Sequence, residues 1–186
     1  MIIDHADHGI TIHQMSESHL SLLFEIYRDR MKNLHDANPL IKYVLVFKNY
    51  GAAAGGSIEH THSQIVAMPI VPRNVHNEIE NSRIYFNKNH RCIFCTLIDE
   101  ALTFEATIYD PKSGKIKRRL DIGQYIVERG SNFIAIKPFA SRFEWEIHIL
   151  PLKHQHDFLK ITSEEIKDMV YLVRRCMARL SAVLGG

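Results

Sequence analysis

No run of apolar residues comes near the roughly 18 needed to cross a bilayer, and Met1-Ile2-Ile3-Asp4 does not open a signal peptide. Neither a membrane span nor a secretory leader is therefore expected. Cysteine is scarce, with three in 186 residues. Two of them lie in Cys92-x-x-Cys95, which suits metal or redox use in a reducing compartment rather than a disulfide framework. Cytoplasm is the expected location. An excess of one charge sign is also lacking. A net charge of +2 gives no electrostatic reason to expect nucleic acid or a membrane surface as a partner. The length suffices for one domain with a core, or for two small lobes.

Histidine is abundant instead, with twelve in the chain. His5, His13, His19, His35, His76 and His90 sit in polar surroundings and read as surface residues. The informative ones fall in the stretch Asn49-Tyr50-Gly51-Ala52-Ala53-Ala54-Gly55-Gly56-Ser57-Ile58-Glu59-His60-Thr61-His62-Ser63-Gln64. A strand from Tyr43 to Lys48 leads into this glycine-rich loop, and a second strand leaves it. His60, His62 and Gln64 are spaced by two, which on a strand puts them on one face. Gly51, Gly55 and Gly56 allow unusual dihedrals and bring backbone amides close to an anion, and Ser57 adds a hydroxyl. A neutral imidazole can attack phosphorus, and a glutamine can donate hydrogen bonds to the charge that develops. Alternating polar residues alone would usually be a solvent face. The full string N-x-G-x-x-x-G-x-S-x-x-H-x-H-x-Q is far more specific.

That string resembles the histidine-triad superfamily, and within it the galactose-1-phosphate uridylyltransferase branch, where a proline is usual at the position of Thr61. The resemblance implies His62 as a nucleophile that carries a nucleoside monophosphate as a phosphoramidate. It implies Gln64, Ser57 and Asn49 as phosphate contacts, with Gly55 and Gly56 shaping the loop around the phosphate. His60 would be a zinc ligand, and His8, in Asp7-His8-Gly9, matches a second one. A further resemblance runs from Pro138 to His154, with Glu144 where the family has proline and Leu152 where it has lysine. Its closing His154 would join Cys92 and Cys95 as a zinc ligand. Judged by spacing alone, Cys92-x-x-Cys95 can bind zinc, act as a redox dithiol or be two buried cysteines. No thioredoxin-like strand–helix pattern follows it, and His154 and His156 are the downstream candidates for completing a metal site.

Elsewhere the pattern is structural. Ser16 is placed to cap a helix over residues 17–35, with Leu20, Leu23, Tyr27, Met31 and Leu34 on one face. A polar helix over 74–87 reads as a connector. Strands are expected at Phe104–Tyr109 and Lys115–Leu120, as a hairpin beyond the family's core, and at Gln124–Glu128 and Phe133–Lys137. Thr162-Ser163-Glu164-Glu165 is a capping box for a helix over 163–184. Cys176 reads as a core thiol.

The expected class is α+β: antiparallel strands in one histidine-triad-like sheet with these two long helices packed on it. Residues 1–72 correspond to the later part of a first repeat, 73–90 to a connector and 91–186 to the start of a second. Each implied zinc site thus lacks ligands within the chain. The expected activity is transfer of UMP from UDP-glucose to a hexose 1-phosphate. An ADP-sugar or dinucleotide phosphorylase, or an inactive zinc-binding fragment, fits the same residues. The expected partners are nucleotide sugars and sugar phosphates, and exposed sheet edges would favour a homodimer.

Overall fold

In the computed structural model the described residues are 1–185 apart from Ser57 and Phe104, and apart from the side chains of Ala106, Leu120, Asp121 and Ile122. The chain opens with β1 (Ile2–Ile3) and α1 (Glu17–Ala37), followed by β2 (Tyr43–Phe47), β3 (His62–Met68), α2 (Arg73–Asn89) and α3 (Ile93–Thr103). The hairpin β4 (Glu105–Tyr109) and β5 (Ile116–Asp121) comes next, then β6 (Ile126–Arg129), β7 (Phe133–Ile136), β8 (His148–Pro151) and α4 (Ser163–Leu184). All the strand pairs are antiparallel. This is the expected α+β class.

The strands form three ladders rather than the one sheet anticipated: β1-β3-β2, β4-β5 and β6-β7-β8. Two of them, β1-β3-β2 and β6-β7-β8, are joined through α1 and α4. Leu20, Leu23 and Tyr27 of α1 pack with Ile166, Met169, Val170, Leu172 and Cys176 of α4, and both sheets lean on this cluster. Ile2 and Val46 reach it from the first sheet, and Phe133 and Ala135 from the second. The opposite face of β7, Ile134 and Ile136, packs on Ile98 of α3. A strand buried on both faces reads as a continuous apolar run, and Phe133-Ile134-Ala135-Ile136 does so.

Local chemistry accounts for the element ends. Ser16 Oγ accepts the His19 amide at 3.2 Å. Thr162 and Glu165 close a reciprocal box, with Glu165 N–H donating to Thr162 Oγ1 (3.2 Å) and Thr162 N–H to Glu165 Oε2 (2.8 Å). Asp168, one turn into α4, accepts the amides of Ser131 (2.9 Å), Asn132 (2.6 Å) and Phe133 (3.0 Å), clamping the β6–β7 turn to the helix. A side chain at Gly130 would collide with that carboxylate.

Two local expectations change. The strand expected from Gln124 starts as a 3-10 turn over Ile122–Tyr125, and the ladder begins at Ile126. Cys92-x-x-Cys95 leads into helix α3, whose Ile98, Ala101 and Leu102 recur at helical spacing, with Ile98 buried against Ile134 and Ile136 of β7 and Leu102 packed beside them.

Candidate functional site

The loop and β3 place the histidines. Gly51 and Gly55 both have φ near +80°, a region that favours glycine, and a 3-10 turn over Ala52–Ala54 lies between them. The amides of Ala54 and Gly56 donate to the Gly51 carbonyl and that of Gly55 to Ala52, at 3.0–3.2 Å. The loop is therefore closed on itself, and amides expected to face an anion are taken up internally. Gly56 serves close approach, since a Cβ there would lie 2.9 Å from the Gly51 oxygen, whereas Gly55 has room for a Cβ and is favoured by its positive φ alone. Ser57 falls outside the described residues.

The ladder of β3 begins at His62, so His60 precedes it instead of sharing its face. His62 pairs with Ile3 of β1 and Gln64 with Phe47 of β2, and these residues share one side of the sheet. His62 is only 3 % exposed. Its Nδ1 lies 2.9 Å from the His60 carbonyl oxygen. A carbonyl can only accept, so Nδ1 carries a proton, and in the neutral ring Nε2 then holds the lone pair. That is the tautomer a nucleophile needs.

Behind His62 lies a polar cluster. The Asp4 carboxylate, 2 % exposed, accepts from Lys48 Nζ (2.8 Å) and Ser63 Oγ (2.9 Å) at one oxygen and from Tyr27 OH (3.3 Å) at the other. Lys48 Nζ also donates to Thr61 Oγ1 (2.6 Å) and to the His62 carbonyl (3.1 Å). Burial, together with the neighbouring Asp4 charge, holds the Tyr27 hydroxyl well above the ordinary tyrosine range despite its contact with Ser63, so it stays protonated. Among the described residues no buried side-chain nitrogen or oxygen lacks a partner. Sequence reading missed this cluster. Its one visible trace was a lysine ending an apolar strand.

Among the described residues one cluster of three side chains could hold a metal ion, and a separate pair of imidazoles lies near the loop. The ligand atoms of Cys92, Cys95 and His154 lie within 4.8 Å of one another, with Cys95 Sγ 3.3 Å from His154 Nδ1. Thiolate and imidazole are the donors a tetrahedral zinc takes. Burial and then Cys92 push the Cys95 thiol above its ordinary value, so metal binding here must displace a proton. An apolar groove formed by Val75, Ile79, Phe94, Ile98 and Leu150 adjoins the cluster. Separately, His60 Nε2–H donates to the His5 carbonyl (2.8 Å), leaving its Nδ1 as a lone pair 3.0 Å from His8 Nδ1. Two imidazoles on one tetrahedral zinc would hold their nitrogens about 3.3 Å apart, so the pair fits. His5 and His19, read as surface residues, are half-buried, their rings in a tilted contact with centroids 4.7 Å apart, and His19 Nε2 lies 2.6 Å from the Asp4 carbonyl oxygen.

A family model described as a domain of unknown function (DUF4921) matches residues 5–101, just over half of the chain. The chain belongs to the DUF4921 family, in the galactose-1-phosphate uridylyltransferase-like group of the histidine-triad superfamily. This DUF4921 member is 25% identical to an ADP-glucose phosphorylase of Arabidopsis thaliana over 99% of its own length and 46% of the relative's. It is 26% identical to a galactose-1-phosphate uridylyltransferase of Thermotoga maritima, over 96% of this chain and 50% of that one. The crystal structure of the Arabidopsis phosphorylase with bound ADP-glucose superposes with a TM-score of 0.82 at 23% identity, covering 98% of this chain and 52% of that one. The DUF4921 chain thus spans about half the length of the relatives it matches. Among its described residues no helix is long and apolar enough to cross a membrane.

Proposed function

We propose that this chain is a nucleotidyltransferase of the galactose-1-phosphate uridylyltransferase type, carrying a nucleoside monophosphate on His62. The observation that supports this best is the buried His62 ring, its Nδ1–H tied to the His60 carbonyl and its Nε2 left as a lone pair. Nε2 attacks the α-phosphorus of UDP-glucose. An N–P bond forms as the bond to the bridging oxygen breaks, and glucose 1-phosphate leaves with that oxygen and its electron pair. Nδ1 keeps its proton, so the ring of the intermediate is cationic and faces the His60 carbonyl dipole. An oxygen of a hexose 1-phosphate then attacks the same phosphorus, and Nε2 leaves with its lone pair restored. Gln64 donates to the transferring group, and Asn49, Gly55, Gly56 and Ser57 are the phosphate-binding residues that the family resemblance implies. Ping-pong kinetics follow. Zinc would be held by Cys92, Cys95 and His154, and by His8 with His60; bound there it cross-links chain segments as a structural ion.

A second reading draws on the similarity to the Arabidopsis ADP-glucose phosphorylase, which is as extensive as that to the uridylyltransferase. In it the donor is an ADP-sugar and inorganic phosphate accepts the AMP. Intact-protein mass spectrometry at neutral to mildly alkaline pH, after separate incubations with UDP-glucose and ADP-glucose, distinguishes the two. A nucleotide-sized adduct is expected with one donor and is lost in His62→Ala, which should fold normally. No adduct with either donor, in folded and zinc-loaded protein, overturns the enzymatic reading and leaves a metal-binding scaffold.

A further inference from the structure

Lys48 directly follows β2 beside the loop, where a cation would ordinarily be read as a phosphate contact. Its surroundings assign it elsewhere. An ammonium has three protons, and three acceptors surround this one: Asp4 Oδ2 at 2.8 Å, Thr61 Oγ1 at 2.6 Å and the His62 carbonyl at 3.1 Å. No proton is left for a substrate oxygen. We propose that Lys48, with Asp4 and Thr61, is a positioning residue for the His62 nucleophile. This inference rests on the nucleotidyl-transfer reading above and deepens it.

The tie acts on the peptide run that sets the imidazole. Asp4 N–H donates to the Thr61 carbonyl at 3.0 Å, while Lys48 holds the Thr61 hydroxyl and the next carbonyl, that of His62. One residue earlier, the His60 carbonyl fixes the His62 ring. Three consecutive residues are therefore held from both sides of the chain. Thr61 also stands where a proline ring would have locked φ covalently. Here hydrogen bonds to its hydroxyl and carbonyl supply the restraint. In-line attack on phosphorus needs Nε2 in a near-attack position, and a displacement of 1 Å costs about 10²-fold in rate.

Removing Lys48 alone would strand the Asp4 carboxylate, whose side chain has no exposure, and would confuse unfolding with misplacement. The test is therefore the neutral pair Asp4→Asn with Lys48→Met. The new amide can still accept from Ser63 and donate to the Tyr27 oxygen. Circular dichroism melts establish the fold. Single-turnover adduct formation with the nucleotide sugar should slow about 10²-fold while the half-saturating donor concentration stays the same. Nitrogen-15 spectra of histidine-labelled protein, with His62 assigned by its loss in His62→Gln, should change from one Nδ1-protonated species to a tautomer mixture. A folded double variant with the wild-type rate and the wild-type tautomer overturns the proposal. If the pair does not fold, Thr61→Val decides. It should lose about tenfold in adduct rate, and Thr61→Ser, which keeps the hydroxyl, should recover most of that loss. Equal rates in Thr61→Val and wild type would also overturn it. Absence of any adduct in the wild type would remove the enzymatic reading, and the nitrogen spectra would still show whether the tie holds the ring.

Discussion

The two larger sheets rest on the same helical pair yet are built oppositely. Among the described residues the buried polar groups are Asp4, Thr61, His62 and Ser63, all in or beside the β1–β3 pairing. The central strand of the other sheet, Phe133–Ile136, is buried throughout and wholly apolar. Polar burial is costly unless every group is paired, and the first sheet meets that condition with a connected network. Such a network confers directionality, since each hydrogen bond fixes an angle. Apolar burial confers non-directional stability. The difference separates tasks: the first sheet holds the His62 ring in one orientation, and the second holds the fold together.

The strongest way to break that division is to damage the second sheet and look for an effect at the first. Ile134 is fully buried in the cluster that β7 forms with Ile98 of α3. Ile134→Ala should cost about 3 kcal/mol by leaving a cavity, measured by urea denaturation. The His62 adduct should still form at the wild-type rate below the melting range. A slowed adduct in folded protein would mean that the two sheets share one task.

A smaller loss should come from the clamp on the β6–β7 turn. Asp168→Ala leaves three amides without their carboxylate, one of them at the exposed Ser131. The expected cost is about 2 kcal/mol, again with adduct formation unchanged. Hydrogen exchange should localise the loosening to residues 130–133. Protection lost equally around Asp4 and His62 would contradict the separation.

How far this division could be read in advance depended on the range of the interactions. The cap at Ser16, the box at Thr162 and the spacing of Leu20, Leu23 and Tyr27 act within a turn or two, and the two long helices appear where those signals put them. The loop and strand from Asn49 to Gln64 were legible because their glycines and histidines recur at fixed offsets. The network behind His62 was not. It joins Asp4, Tyr27, Lys48 and Ser63 across as many as 59 positions, and Tyr27 occupies a slot in an apolar stripe where its hydroxyl gives no signal. The splitting of the strands into separate ladders was hidden for a similar reason, because the shared α1–α4 core that joins them is a long-range contact. Helix α3 was within local reach. Its Ile98, Ala101 and Leu102 carry the helical period.

The mildest test concerns charge at the second sheet. Glu128 of β6 accepts from Arg175 Nε at 2.8 Å and from Arg179 Nη2 at 2.6 Å. The hydrogen bond from Arg175 outweighs the opposing effect of burial and, with the charges of Arg179 and Arg175, holds its carboxyl below the usual glutamate value. A lowered folded pKa means that this contribution is complete above the unfolded value, about 4.3, and fades as pH falls through the folded one. Both arginine side chains are nearly half exposed, at 48% and 46%, so solvent and salt limit the gain to about 0.5 kcal/mol. Melts of Glu128→Gln should fall slightly below wild type at pH 7 and converge with it near pH 3. They should also converge in high salt at pH 7. A gap that survived both conditions would show the carboxylate acting through packing rather than charge. A gap as large as that of Ile134→Ala would move the stability of this sheet from its apolar strand to its charged rim.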